Sequence, residues 1–187
     1  VSGAIDRETA SSYAIVVRST SSDSSTSVQT FTIQIGDADE FDIGLIADTN
    51  LASNSLAENS ANGTTVGIVA FGEDLDATTH GVSYRLLDDA AGRFQIDSTS
   101  GVVSVADGSR LNYEANSSHG IVVEGQSQDG STSTASFTIQ VANVMENPIS
   151  NSDTFATTFL DKVQVAASGL LANDIDPDGD AMTAILV

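Results

Sequence analysis

The chain of 187 residues has no cysteine and no tryptophan, six lysines and arginines together, and two histidines. Small extracellular domains usually lean on disulfides, so modules without cysteine need another staple, and a bound metal is the obvious substitute. The shortage of base excludes two classes of partner. With 26 acidic residues and a net charge of −20, the chain is repelled by nucleic acid phosphates and by anionic membrane surfaces, both of which call for clusters of Lys or Arg. No apolar run approaches the length of a membrane span, and no signal peptide is read at Val1, so this stretch is expected to be soluble and not to insert in a bilayer. Hydrophobic residues make up 40% and aromatics 5%, so a core must be built from Val, Ile, Leu and a few Phe.

Catalytic motifs are missing as well. There is no Gly-x-Ser-x-Gly elbow, phosphate loop or cysteine nucleophile. Glu58 and Glu114 can be drawn as a glycosidase acid pair, but a hydrolase would also want aromatic sugar platforms. No enzyme is expected.

What the chain does have is a repeat. Residues 1–43 recur without a gap at 107–149: Phe31-Thr32-Ile33-Gln34-Ile35 returns as Phe137-Thr138-Ile139-Gln140-Val141, an offset of 106 residues, and 17 of the 43 aligned positions are identical. Chance does not produce this, and a unit of that length means a tandem array of small domains. His119 aligns with Tyr13, which makes it an ordinary strand residue.

Period-two alternation at Val66, Ile68 and Ala70, at Val82, Tyr84 and Leu86, at Phe94 and Ile96, at Val103 and Val105, at Ile121 and Val123, and at Phe137, Ile139 and Val141 marks strands. Helical periodicity is absent. With a first strand near Ile43 to Ile46, about seven strands fall in about 100 residues, the signature of an immunoglobulin-like Greek-key β-sandwich. The Ser-rich stretches 19–27 and 127–133 read as hairpin tips, and joints between modules fall near Asp39 to Asp42 and near Met145 to Pro148.

The acids are not evenly spread. Leu56-Ala57-Glu58-Asn59, Asp74-Leu75-Asp76, Phe94-Gln95-Ile96-Asp97 running into Ser100-Gly101, Leu111-Asn112-Tyr113-Glu114 and Asn143-Val144-Met145-Glu146 follow one another at spacings that resemble a cadherin repeat. The resemblance covers the central module and the half-module before it. It implies an all-β chain of tandem cadherin-like sandwiches, with the C-terminal half of one repeat at 1–42, a complete repeat at 43–147 and the N-terminal part of a further module at 148–187. Leu170 to Asp180 is similar to the opening of cadherin-like modules in long arrays of bacterial surface proteins.

In that family Ca²⁺ sits at the joints. The resemblance implies metal ligands Asp6, Glu8, Asp37, Asp39, Glu40, Asp74 and Asp76 at the first joint, and Glu58, Glu114, Glu146, Asp174 and Asp176 at the second. The second is thinner, because Asn112, Asn143 and Met145 stand where the first has Asp6, Asp37 and Asp39. The family's further acid after the penultimate strand is Ser127 here, with Asp129 close by. Asp174-x-Asp176-x-Asp178-Gly179 also invites an EF-hand reading, which fails because the twelfth loop position is Ile185 where a bidentate Glu is needed. The bland alternative for the whole set is acidic turns that keep the chain in solution.

The function implied is that of a calcium-binding, extracellular or cell-surface adhesin, whose partners are its own neighbouring modules, with carbohydrate or like modules on another cell as the alternative. Asn62-Gly63-Thr64 and Asn116-Ser117-Ser118 match glycosylation sequons, which matter only in a host that uses them. Since Val1 opens in the latter half of one module and Val187 stops inside a strand of another, the two end modules are expected to be completed by another chain or by each other.

Overall fold

The structure is a computed structural model of the full chain. It describes all residues except 1, 2, 4, 77, 157, 159, 160, 163, 164, 166–168, 186 and 187. The strand expected to run to Val187 lies partly outside the described residues.

Ten strands are found among the described residues. A hairpin comes first, β1 (Ser12–Thr20) and β2 (Thr26–Gln34), paired antiparallel with Ile15 opposite Phe31. The central module follows as β3 (Ala47–Asp48), β4 (Ser55–Ala57), β5 (Thr65–Phe71), β6 (Val82–Asp88), β7 (Phe94–Ile96), β8 (Val102–Val105), β9 (Ser118–Ser127) and β10 (Thr132–Ala142). They form two four-stranded sheets, β4-β10-β9-β6 and β3-β5-β8-β7. Strands close in sequence are divided between the sheets, and β4 joins β10 in parallel across the whole module.

Alternation explains the packing. In β5 Val66, Ile68 and Ala70 point inward and are essentially buried while their neighbours are not, and Val103 and Val105 of β8 do the same. They meet Ile121, Val123, Ile139 and Val141 from the facing sheet, with Phe94, Tyr84, Leu56 and Leu111 filling the ends. His119 belongs to this core: it is buried in β9 against Phe94, their rings 6.1 Å apart and tilted by 59°. Removal from water and the charge on Arg93 hold its imidazole below the usual histidine range.

Two strand expectations are corrected. The segment Ile43 to Ile46 is not a strand: both isoleucines are buried, but the backbone is pinned by single bonds, Ile43 N to Ser131 Oγ at 3.0 Å and Gly44 N to Glu73 O at 2.8 Å. The ladder begins only at β3, which pairs with the end of β5. The strand β4 was not foreseen, since three residues carry too little alternation to register, and the module has eight strands where about seven were expected. The two serine-rich stretches do form hairpin tips.

Among the described residues after β10, regular pairing is sparse. A bridge joins Ile149 to Ile175, with N···O distances of 2.7 and 3.1 Å, and a single 3-10 turn spans Gly169–Leu171.

The backbone at position 101 admits only glycine. Gly101, at φ +69°, ends the turn in which Asp97 Oδ1 accepts from the backbone N–H groups of Thr99 and Ser100. A Cβ there would stand 2.0 Å from the carbonyl oxygen of Ala70. Left-handed backbone alone costs an L residue about 1–2 kcal/mol, and the clash adds to it. Gly101→Ala is therefore expected to lower stability by more than about 2 kcal/mol in chemical denaturation, whereas Gly130→Ala, with open space at its Cβ, should show only the backbone part.

Candidate metal centres

Acids from four stretches of chain meet at one end of the central module, and from three at the other. At the first joint Glu8, Glu40 and Asp76 each bring a carboxylate oxygen within 4.8 Å of the other two, and so do Asp39, Asp76 and Asp129. Asp76 belongs to both groups. At the second joint Glu58, Glu114 and Asp178 form a third group of the same size. Oxygens on opposite sides of one Ca²⁺, at about 2.3–2.6 Å from it, lie at most about 5 Å apart, so each group has the span of a shared ion.

Local bonding decides which acids are available. Asp6 caps a turn, taking the N–H groups of Glu8 and Thr9 at 2.9 and 3.2 Å and the Thr9 hydroxyl at 2.8 Å, which sets Glu8 at the joint. Asp74 is buried and engaged on both oxygens: Oδ1 accepts from Asp76 N at 3.0 Å and Oδ2 accepts a very short bond from the Ser127 hydroxyl. Those bonds, that from Ser127 foremost, hold its carboxyl below the usual range. Asp37 accepts from the Thr78 hydroxyl through one oxygen. Asp76 Oδ1 accepts from Glu40 N at 3.2 Å, tying the connecting segment to the central module.

The second joint is organised around Glu58. It is 2% exposed, and its two oxygens accept from Val144 N and Tyr113 N, each at 2.8 Å. Asn59 donates to Glu146 Oε1 at 2.7 Å, and Glu146 N donates to Asp178 Oδ2 at 2.6 Å. Asn112 accepts from Ala115 N at 2.6 Å, and Met145 is 85% exposed.

A cation fits these residues on an observation independent of the clustering. Asp37 Oδ1, Asp76 Oδ2, Glu146 Oε2 and Asp178 Oδ1 are buried without any hydrogen-bond partner, a costly condition for charged oxygens. All four face the joints. The two ion pairs found among the described residues, Arg85 with Glu124 at 2.6 Å and Arg110 with Asp107 at 2.9 Å, involve none of them. The donors are hard carboxylate oxygens, with neither sulfur nor imidazole among them, which suits Ca²⁺.

Of the residues singled out in the sequence, Glu8, Asp39, Glu40, Asp76, Glu58 and Glu114 stand in the three groups; Asp37 and Glu146 lie beside them with orphaned oxygens, and Asp6 and Asp74 support the loops. Asp174 and Asp176 stand outside the groups. Asp174 accepts from Asn151 N at 2.7 Å and Asp176 from Asp180 N at 3.1 Å, which leaves Asp178 as the far-side acid at Glu58 and Glu114. Pattern alone does not single out Asp178, because the alternating acids 174, 176, 178 and 180 are equivalent in the sequence. Asp129 had a signal, its nearness to the position that Ser127 fills.

The comparisons fit this geometry. The family model described as Cadherin domain matches residues 52–142. The central module is cadherin-like. Among solved structures the chain is similar to chicken VE-cadherin EC1-2, with a TM-score of 0.59 and 24% identity over 74% of this chain and 70% of that one. It is also similar to PcdhgB3 EC1-4, at 0.64 and 18% over 75% and 34%, and to mouse clustered PcdhgC3 EC1-3, at 0.60 and 19% over 75% and 46%. At these identities the structural likeness carries the fold, and the chain spans less than half of the two longer structures. No curated protein gives a significant sequence match.

The clustering leaves an electrostatic mark. Asp39 is raised above its ordinary value of 3.8, first by its carboxyl contact with Asp76, then by burial and by the charges of Asp129, Asp76 and Asp42. Glu114 is raised above 4.5: its own backbone N–H lowers it, and burial with the charges of Glu58, Asp178 and Glu146 outweighs that. A carboxyl whose folded pKa is raised contributes stability that is present below its unfolded value and lost as pH rises through the folded one. In chelator, Asp39→Asn and Glu114→Gln are therefore expected to raise the melting temperature at pH 7 and leave it unchanged near pH 3. With millimolar Ca²⁺ at pH 7 both should lower it. The lowered carboxyls Asp6, Asp74, Asp97 and Asp107 behave oppositely, holding the fold above 3.8 and releasing it below.

Proposed function

We propose that the chain is a stretch of tandem cadherin-like modules, at 1–42, 43–147 and 148–187, from a large bacterial cell-surface or secreted adhesin, and that Ca²⁺ rigidifies the joints between them. The observation that carries this reading is the meeting of carboxylates from both sides of each joint around buried oxygens that have no other partner.

Glu8, Asp37, Asp39 and Glu40 would act from the near side of the first joint, and Asp76 and Asp129 from the central module. Glu58, Glu114 and Glu146 would hold the second joint together with Asp178. When bound, the ion supplies the positive charge that lets these acids stay ionised side by side. Without it the carboxylates repel, and the connecting segments are free to swing, since few backbone bonds cross them. With two groups sharing Asp76 against one group around Glu58, the first joint is the stronger site. The acidic surface suits a protein that works where calcium is abundant, as it is outside the cell. Cell adhesion through like modules on another cell agrees with the domain family.

Saturation at 100 times the dissociation constant adds about 2.7 kcal/mol to the binding-competent state, so melting in millimolar Ca²⁺ should run several degrees above melting in chelator, and Mg²⁺ should give much less. Asp76→Asn is expected to remove most of the high-affinity binding in a calorimetric titration, with Asp178→Asn reducing only the weaker phase. A melting curve that Ca²⁺ leaves unchanged would refute the calcium reading.

A further inference from the structure

An apolar cleft opens on the surface beside the first joint. Phe41, Leu45, Phe71 and Leu75 line it and are 41%, 88%, 50% and 57% exposed, so large apolar side chains stand together in water around a volume of about 340 Å³. Single exposed apolar residues are ordinary, but a contiguous group of large ones marks an interaction site. The volume lies at the small end of the range for ligand pockets, about 300–1,000 Å³, and suits a large side chain better than a cofactor. The rim is acidic. Asp42 and Glu73 are exposed there, and neither belongs to the two ion pairs found among the described residues.

The walls of the cleft are the same strips of chain that carry the first metal centre. Phe41 directly follows Glu40, and Leu75 lies between Asp74 and Asp76. Glu40 and Asp76 converge with Glu8, and the walls are tied by Glu40 N to Asp76 Oδ1 at 3.2 Å and by Gly44 N to Glu73 O at 2.8 Å. A cation held between Glu40 and Asp76 would therefore fix the width of the cleft, and the repulsion of those carboxylates without one would push its walls apart. The second joint lacks this aromatic wall, since the repeat places Asn147 at the position of Phe41. We propose that the cleft is a calcium-gated docking site for a basic, apolar segment of a partner protein, one that sets a large aromatic or aliphatic side chain between lysines or arginines. The apolar walls call for the buried side chain, and Asp42 and Glu73 call for the flanking cations. A second copy of this chain suits the rim poorly, because its net charge is −20 and it has only six Lys and Arg. The inference rests on the calcium reading of the first joint and adds a partner to it.

The chain has no tryptophan, so a tryptophan in a peptide reports its own burial without background. The probe is the end-capped peptide Lys-Lys-Leu-Trp-Leu-Lys-Lys, and the control has Glu in place of each Lys. With the full chain in millimolar Ca²⁺ at physiological ionic strength, the emission of the probe is expected to shift to the blue and saturate, and that of the control to stay put. Chelator should weaken binding by about tenfold or more. Leu45→Asp in Ca²⁺ should weaken it by about as much, through the loss of an apolar contact at an exposed position where the fold is not at stake. Both effects run opposite to unspecific attraction between a cationic peptide and an acidic protein, which an added Asp and the removal of Ca²⁺ would each strengthen. Glu73→Lys should weaken the probe and let the control bind. Probe binding that is as tight in chelator, or that Leu45→Asp leaves unchanged, while Ca²⁺ still raises the melting temperature, would overturn this inference and leave the calcium reading standing. A melting temperature that Ca²⁺ does not move would overturn both. A calcium-dependent dimer in light scattering, dissolved by Leu45→Asp and closed to the probe, would overturn the choice of partner by making a second copy the occupant.

Discussion

Like charges held in contact are the constraint on which the joints of this molecule depend. At a separation of 4 Å two unit charges repel by about 1 kcal/mol in water and by about 4 kcal/mol near a protein surface, and here several carboxylates meet at each joint. The fold tolerates this because several of these acids are fixed by something else. Glu58 is buried under two backbone donors, Asp76 bridges to Glu40, and Glu146 reaches Asp178 through its own N–H. The sandwich therefore holds its acids in an arrangement whose repulsion protonation or a bound cation would relieve. The raised carboxyls of Asp39 and Glu114 follow from that crowding.

The two ends of the central module do this with different means. At the first joint, acids from the hairpin side and from Asp76 and Asp129 make two groups that share one carboxylate. At the second, Asn112, Asn143 and Met145 have thinned the near side, and the burden passes to Glu58, whose backbone bonds make it as much a structural residue as a candidate ligand. Removing it would leave two part-buried backbone donors unpaired and take away one acid. On the proposed reading, such a graded pair of joints would give an array in which one hinge stiffens at lower calcium than the next.

Sequence patterning revealed what depends on period and repetition. Strands with two or more alternating apolar residues, such as β5 and β9, declared themselves, and so did the hairpin tips, because their residues are dictated locally. The positions that escaped are set by partners far away in sequence. Ile43 and Ile46 look like a strand because both are buried, yet Ser131 and Glu73 hold that segment without a ladder. Strand β4 exists because β10 accepts three residues in parallel. The choice of Asp178 over Asp174 and Asp176 depends on a turn, with Gly179 at φ +76°, that closes Asp176 onto Asp180 and leaves Asp178 directed at Glu146. Four alternating acids carry no trace of that choice.

The central claim is that the carboxylates at the first joint converge only around a cation. The absence of native cysteine allows spin labels to be attached at Thr30→Cys in β2 and Gln126→Cys in β9 without background, and a pulsed electron resonance measurement then gives the distribution of distances across the joint. A single narrow distance in Ca²⁺ that broadens strongly in chelator, and stays broad in Ca²⁺ when Asp76→Asn is added, is the predicted result. The same narrow distribution with and without calcium would contradict the account.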